Sequence, residues 1–138
     1  MSNYTETYKK LFGNALISLT TDEFTWNEPV YDKIQWGNEV VPAINIPTKA
    51  QVEAKIVELQ NIEPFKILRK KRNELLKECD YLALPDYPHE NPEIRTAWKI
   101  YRQQLRDLPN NNESIKDMKL DDNDYDNLIG VVWPTPPS

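Results

Sequence analysis

Glycine is scarce in this chain, three residues among 138, so a phosphate-cradling glycine loop is excluded. One cysteine, Cys79, rules out an internal disulfide framework and fits a reducing compartment. One histidine, His89, lies on a connector between Pro88 and Glu90, with no second histidine to share a metal or a proton. It reads as an exposed loop residue, and Cys79 as a small core hydrophobe with no marked base or oxyanion donor. No apolar run approaches a membrane-spanning length, and Met-Ser-Asn-Tyr-Thr-Glu lacks a signal peptide's basic and apolar regions. The chain is therefore expected to be soluble and made in a cytosol. Basic charge is also short overall: the formal net charge is −5, against the basic surface of a nucleic-acid binder.

What is present is proline, eleven residues, with four tryptophans and seven tyrosines. That mixture suggests extended, proline-stiffened segments anchored by large rings around a modest core. Charge is distributed unevenly. Residues 1–47 hold three basic and six acidic side chains, and residues 48–79 hold eight and five. Residues 80–109 hold four and five, and residues 110–138 two and six. A basic middle between acidic ends suits self-attraction or separate faces for different partners.

Three segments are expected. The first, 1–47, is an N-terminal arm followed by a short-strand lobe. Tyr4, Tyr8, Leu11 and Phe12 recur at helical intervals, with Gly13 as the stop. From Ala15 to Val41, Phe24 and Trp26 alternate with polar neighbours, as do Ile34 and Trp36, which predicts two or three short strands. Gly37-Asn38 offers a turn, and Pro42 and Pro47 bracket an extended connector.

The second segment, 48–109, is a helical module. Thr48 and Gln51 make a capping box ahead of the stripe Val52, Ile56, Leu59 and Ile62. Pro64 either kinks this helix or begins another. Phe65, Leu68, Leu75, Leu76 and Cys79 continue the stripe, and the cations Lys66, Arg69, Lys70, Lys71, Arg72 and Lys77 read as a solvated face. Asn91 and Pro92 start a further helix, with Ile94, Ala97, Trp98, Tyr101, Leu105 and Leu108 as its apolar arc. Arg95, Lys99, Arg102 and Arg106 form a basic strip beside that arc, awaiting an acidic counterpart.

The third segment, 110–138, is an acidic loop with an extended Trp-Pro tail. Asp121, Asp122, Asp124 and Asp126 lack the glycine and terminal glutamate of an EF-hand. Three prolines in the last five residues favour polyproline II, and Trp133 must dock on the helices or in a partner groove. The fold class is therefore α+β: a small helical hairpin or three-helix module with a short strand-rich N-terminal lobe and an extended proline-rich C-terminal tail. The function expected is contact with protein partners, not catalysis. No catalytic, cofactor or metal residues are expected, nor a small-molecule substrate, nucleic acid or membrane. The residues expected to meet partners are Trp26, Trp36, Arg95, Lys99, Arg102, Arg106, Trp133, Pro134 and Pro136.

One combination is more specific: Arg72-Asn73-Glu74-Leu75-Leu76-Lys77-Glu78-Cys79-Asp80-Tyr81, Leu84-Pro85-Asp86, Ala97-Trp98, Tyr101-Arg102-Gln103-Gln104-Leu105-Arg106-Asp107-Leu108-Pro109, and a closing Trp133-Pro134. It resembles the bacteriophage tail assembly chaperone family, whose usual form has Cys-Asp-Trp where this chain has Cys79-Asp80-Tyr81. An acidic insert also precedes Trp133-Pro134. The likeness covers about 65–109 and the end, while the Trp26 and Trp36 strands look like those preceding this module in some proteins of phages that infect cyanobacteria. The resemblance implies a protein of tails or tail fibres, with other tail, neck or tail-fibre proteins as partners and multiple copies in a symmetric assembly. It implies residence in the virion tail after synthesis in the host cytoplasm. Within it, Arg72 is expected to pair with Asp80 or Asp86, and Arg106 and Asp107 to fix the exit toward Pro109. Two roles follow, first a retained adaptor with both ends clamped by neighbours, and second a transient assembly chaperone.

Overall fold

The computed structural model describes residues 4–137. Among them the fold is α+β, with four α-helices and two small two-stranded sheets. Two compact units divide the chain. Unit 1 takes the residues up to Glu63 together with Leu120–Asn127, and unit 2 takes Pro64–Lys119 together with Leu128 onward. Unit 1 runs past 47/48 to Glu63, and each unit takes part of the region after 109/110.

In unit 1, α1 spans Glu6–Leu19, capped by Thr5, whose hydroxyl accepts from the Tyr8 amide at 3.0 Å. Thr7, Leu11, Phe12, Ala15 and Leu16 form its buried face. Gly13 does not stop this helix, as its sequence position suggested, and Ala15–Leu19 is helical. The Trp26 ring lies 3.4 Å from where a Cβ would sit, an ordinary van der Waals separation. Trp26 meets Phe12 edge to face at 5.0 Å. The part of the expected arm at residues 1–3 lies outside the described residues.

Strands β1 (Phe24–Thr25) and β2 (Gln35–Trp36) pair antiparallel, with Phe24 opposite Trp36 and Thr25 opposite Gln35. Gly37 follows at φ 72°, and a Cβ there would come within 2.7 Å of the Ala43 nitrogen. Helix α2 spans Lys49–Glu78 and opens with the reciprocal capping box. The Thr48 amide donates to Gln51 Oε1 at 2.8 Å, and the Gln51 amide to Thr48 Oγ1 at 3.1 Å. It runs through Pro64 without beginning a second helix, although proline leaves the Gln60 carbonyl without its helical donor.

Unit 2 contains the second half of α2, a 3-10 turn at Asp80–Ala83, α3 (Pro92–Asp107), a 3-10 turn at Leu108–Asn110 and the short α4 (Asn112–Ile115). Asn91 caps α3, its Oδ1 accepting from the Ile94 amide at 3.0 Å, with Pro92 in the first turn. The expected acidic loop contains a hairpin of β3 (Lys119–Asp121) and β4 (Asp124–Ile129). Its turn is stabilised by Asp121 Oδ1, which accepts from the Asn123 amide at 2.9 Å. Within unit 1, this hairpin meets α1: the Thr7 amide donates to the Asp122 carbonyl at 3.1 Å, and the Thr7 hydroxyl donates to that of Asp121.

Candidate partner-docking site

Unit 2 is a closed module whose buried centre is Cys79, Leu82, Tyr101 and Leu105, with Leu75, Leu76, Tyr87, Trp98 and Trp133 packed around it. Trp98 and Tyr101 meet edge to face at 5.7 Å. Burial, followed by the nearby Cys79 and Glu78, raises the Tyr101 pKa above the usual phenol value. The expected packing of the α3 aromatics on the end of α2 is thus present, with Tyr101 buried and Trp98 half-buried.

The four cations of α3 do not form one solvent-facing strip. Arg102 turns inward and is 8% exposed. Its Nη1 donates to the Leu76 carbonyl at 2.8 Å and contacts Cys79 Sγ at 3.0 Å, while its Nη2 donates to Asp80 Oδ1 at 2.8 Å. Burial opposes its charge, but the bonds to Asp80 and Cys79 outweigh that and hold its pKa above the ordinary guanidinium value. Only Nε lacks a partner. Helical spacing places residue 102 beside the apolar arc, and the Leu76 carbonyl in the last turn of α2, Cys79 Sγ and Asp80 supply the acceptors that draw the fork in. Asp80 therefore pairs with Arg102 and not with Arg72, which instead contacts Asn73 Oδ1 and, at 3.5 Å, the Arg106 carbonyl.

Arg95 is also committed within the module. Its guanidinium donates to the carbonyls of Leu84, Pro85 and Tyr87 at 3.2, 3.1 and 2.9 Å, fastening the connector before α3. His89 is half-buried, contrary to the exposed loop residue expected, and its Nε2–H donates to the Leu82 carbonyl at 2.8 Å. Lys99 and Arg106 remain exposed. Arg106 has a local contact with Gln103 Oε1 at 3.4 Å, and Asp107 accepts from Gln103 Nε2 at 2.9 Å, so both act along α3 itself.

The tail returns onto this module. Gly130, at φ 81°, turns the chain against the Asp117 carbonyl, and the Val132 amide then donates to the Ser114 carbonyl at 2.9 Å. Trp133 is delivered to the core cluster and lies at the rim of two open depressions. One, about 460 Å³, is lined by Gln104, Asp107, Asn111 and Ser114 with residues 132–135. The other, about 340 Å³, lies against Lys71, Glu74, Leu75 and Glu78. Pro134 is half-buried and Pro136 exposed. The sequence carried one signal for this return that a reading of the tail as simply extended passes over: a lone glycine inside the β-branched run around Ile129 and Val131.

Trp26 and Trp36 belong to unit 1, where both are half-buried by aromatic neighbours. Trp36 contacts Phe24 at 6.0 Å and Tyr31 at 6.1 Å. Among the described residues no group of three or more His, Cys, Asp or Glu side chains could hold a metal ion, and no helix is long and apolar enough to cross a membrane.

Residues 65–138, more than half of the chain, match the family described as phage tail assembly chaperone protein. The chain belongs to the phage tail assembly chaperone family. The family match takes in all of unit 2 beyond Pro64, including the Trp133-Pro134 return. It leaves out α1, β1, β2 and the first half of α2, so the likeness of those strands to proteins of cyanobacterial phages falls outside it. No curated protein and no solved structure was found to match the chain.

Proposed function

We propose that this chain is a transient, non-enzymatic chaperone of tail or tail-fibre assembly, holding other tail proteins through unit 2 before they join the particle. The observation that carries this reading is the family match over residues 65–138. The geometry supplies a means of contact. Lys99, Arg106 and Pro136 are exposed, and Trp133 and Pro134 border depressions into which a partner side chain fits. Arg95 and Arg102 contribute by holding that surface rigid, which lowers the ordering cost of association. Trp26 and Trp36 contribute by shaping unit 1. The site of action is the host cytoplasm, with the tail as the product.

The test has two arms. Co-purification from infected cells should capture tail or fibre proteins, and Lys99→Glu with Arg106→Glu should weaken that capture while leaving the thermal midpoint unchanged. Mass spectrometry of mature infectious particles should find the chain absent. Stoichiometric copies in those particles would overturn transience and establish a retained adaptor.

A further inference from the structure

The two units differ sharply in charge. Unit 1 carries thirteen acidic and five basic side chains, whereas unit 2 carries twelve basic and nine acidic ones. Each also presents a surface that its own fold leaves unused.

In unit 1 the surface is the loop after β2. Val40 is 87% exposed, Val41 58%, Ile44 82% and Ile46 48%. Such a run of exposed aliphatic side chains marks a contact surface more often than an ordinary loop. The loop is held in shape from beneath. Asn38 Oδ1 accepts from the amides of Val40 and Val41 at 2.8 and 2.6 Å. Asp22 Oδ2 accepts from those of Ile44 and Asn45 at 2.8 and 2.6 Å, and the Thr20 hydroxyl donates to the Asn45 carbonyl at 2.8 Å. Polar groups are thus spent on presenting apolar ones, and little conformational freedom remains to be lost on binding. Glu39 stands beside these side chains, and in residues 20–47 the one cation, Lys33, is paired with Glu28.

In unit 2 the matching surface lies on α2. Lys66, Arg69, Lys70, Asn73, Glu74 and Lys77 line a shallow depression of about 550 Å³. Their spacing puts them along one helical face, where four cations surround the single acid Glu74 and leave the face net positive. The long stems of lysine and arginine give such a depression apolar walls under a cationic rim. Lys70 and Lys77 have no ion-pair partner among the described residues.

We propose that the chain associates with itself head to tail, the apolar loop 39–46 of one copy, with Glu39 at its edge, seating on the basic face Lys66–Lys77 of the next. This goes beyond the chaperone reading and does not depend on it. The two surfaces differ, so the contact is heterologous: it builds rings if the rotation closes and filaments if it does not.

Sedimentation or light scattering of the full chain tests this. At low salt the average mass should rise with concentration above the 16.2 kDa of one chain. It should fall back at about 1 M salt, where the screening length is about 3 Å. Val40→Ser with Ile44→Ser should remain at 16.2 kDa, and so should Lys70→Glu with Lys77→Glu. Mixed in equal amounts, these variants each retain the surface the other has lost, and should give a species of twice that mass and nothing larger. Circular dichroism checks that both fold, and the milder pairs Val40→Ala with Ile44→Ala and Lys70→Gln with Lys77→Gln replace any that do not. Wild-type chain that stays monomeric at every concentration, either variant still associating alone, or a mixture that forms no dimer overturns the proposal.

Discussion

Arg102 shows how a charged residue becomes part of a core. Its guanidinium joins the Leu76 carbonyl, the Cys79 sulfur and Asp80, so its removal takes away three contacts as well as a packing volume. Arg102→Ala is expected to destabilise unit 2 by about 2 kcal/mol through lost packing and lost charge-assisted hydrogen bonds, the Asp80 left behind being largely exposed. Arg102→Lys should recover less than half of that, since one ammonium cannot span the fork. Denaturant titration of both variants checks this, and an unchanged midpoint for the alanine variant would refute it. Asp121 provides the pH-dependent counterpart. The Asn123 amide, and then the Asn127 side chain, depress its pKa below the ordinary carboxylate value. The folded carboxylate therefore binds its proton more weakly than the unfolded one. Its contribution is complete above about pH 4 and is lost as the pH falls through the depressed value. Asp121→Asn should flatten the acid limb of a stability–pH profile. Neither role was legible in the sequence, where Arg102 looked like one cation in a strip and Asp121 like one acid in a run. The partners of Arg102 lie 22 to 26 residues away and leave no local trace. Those of Asp121 are two and six residues on, within a run of acids that gives no sign which one the turn uses.

Helices α2 and α3 were legible because their start signals are local. Thr48 and Gln51 satisfy one another, and Asn91 with Pro92 needs only the following turn. The strand pairing of Phe24 and Trp36 was also foreshadowed by their alternation. The β3–β4 hairpin was not, since its strands are short and acidic, and α1 runs on past Gly13. The Trp133 return depends on a small residue. At Gly130 a Cβ would lie 1.9 Å from the Asp117 carbonyl oxygen, at a φ that side chains other than glycine resist. Gly130→Ala is therefore expected to cost more than about 1 kcal/mol and to release the tail. Trp133 should then become accessible to an aqueous quencher, with the fluorescence of the other tryptophans little changed. Quenching identical to wild type would show that the turn tolerates a methyl group.

At the scale of the molecule, the α+β class and the helical module were readable in the sequence, and the way the units recruit their parts was not. Periodicity marks elements but not which distant segment completes them. Unit 1 needs Leu120–Asn127, and unit 2 closes only with the residues after them. The Asn14 amide group donates to the Tyr125 hydroxyl at 3.2 Å, and Lys10 lies over the Tyr125 ring at 6.0 Å, both spanning more than a hundred residues of chain. A chain truncated after Lys119 should accordingly lose amide protection in α1, measured by hydrogen exchange, although every residue of that helix is retained. Protection equal to the full chain would place the stability of α1 elsewhere. The order of synthesis gives this connectivity a further meaning. A ribosome releases α1 first and its hairpin partner more than a hundred residues later, so Trp26 is at hand early to cover Phe12 while the contacts of Thr7, Lys10 and Asn14 wait through most of translation. Neither unit can be completed on the nascent chain ahead of the other by much. The same short stretch of late-emerging residues finishes the first and leads directly into the closure of the second.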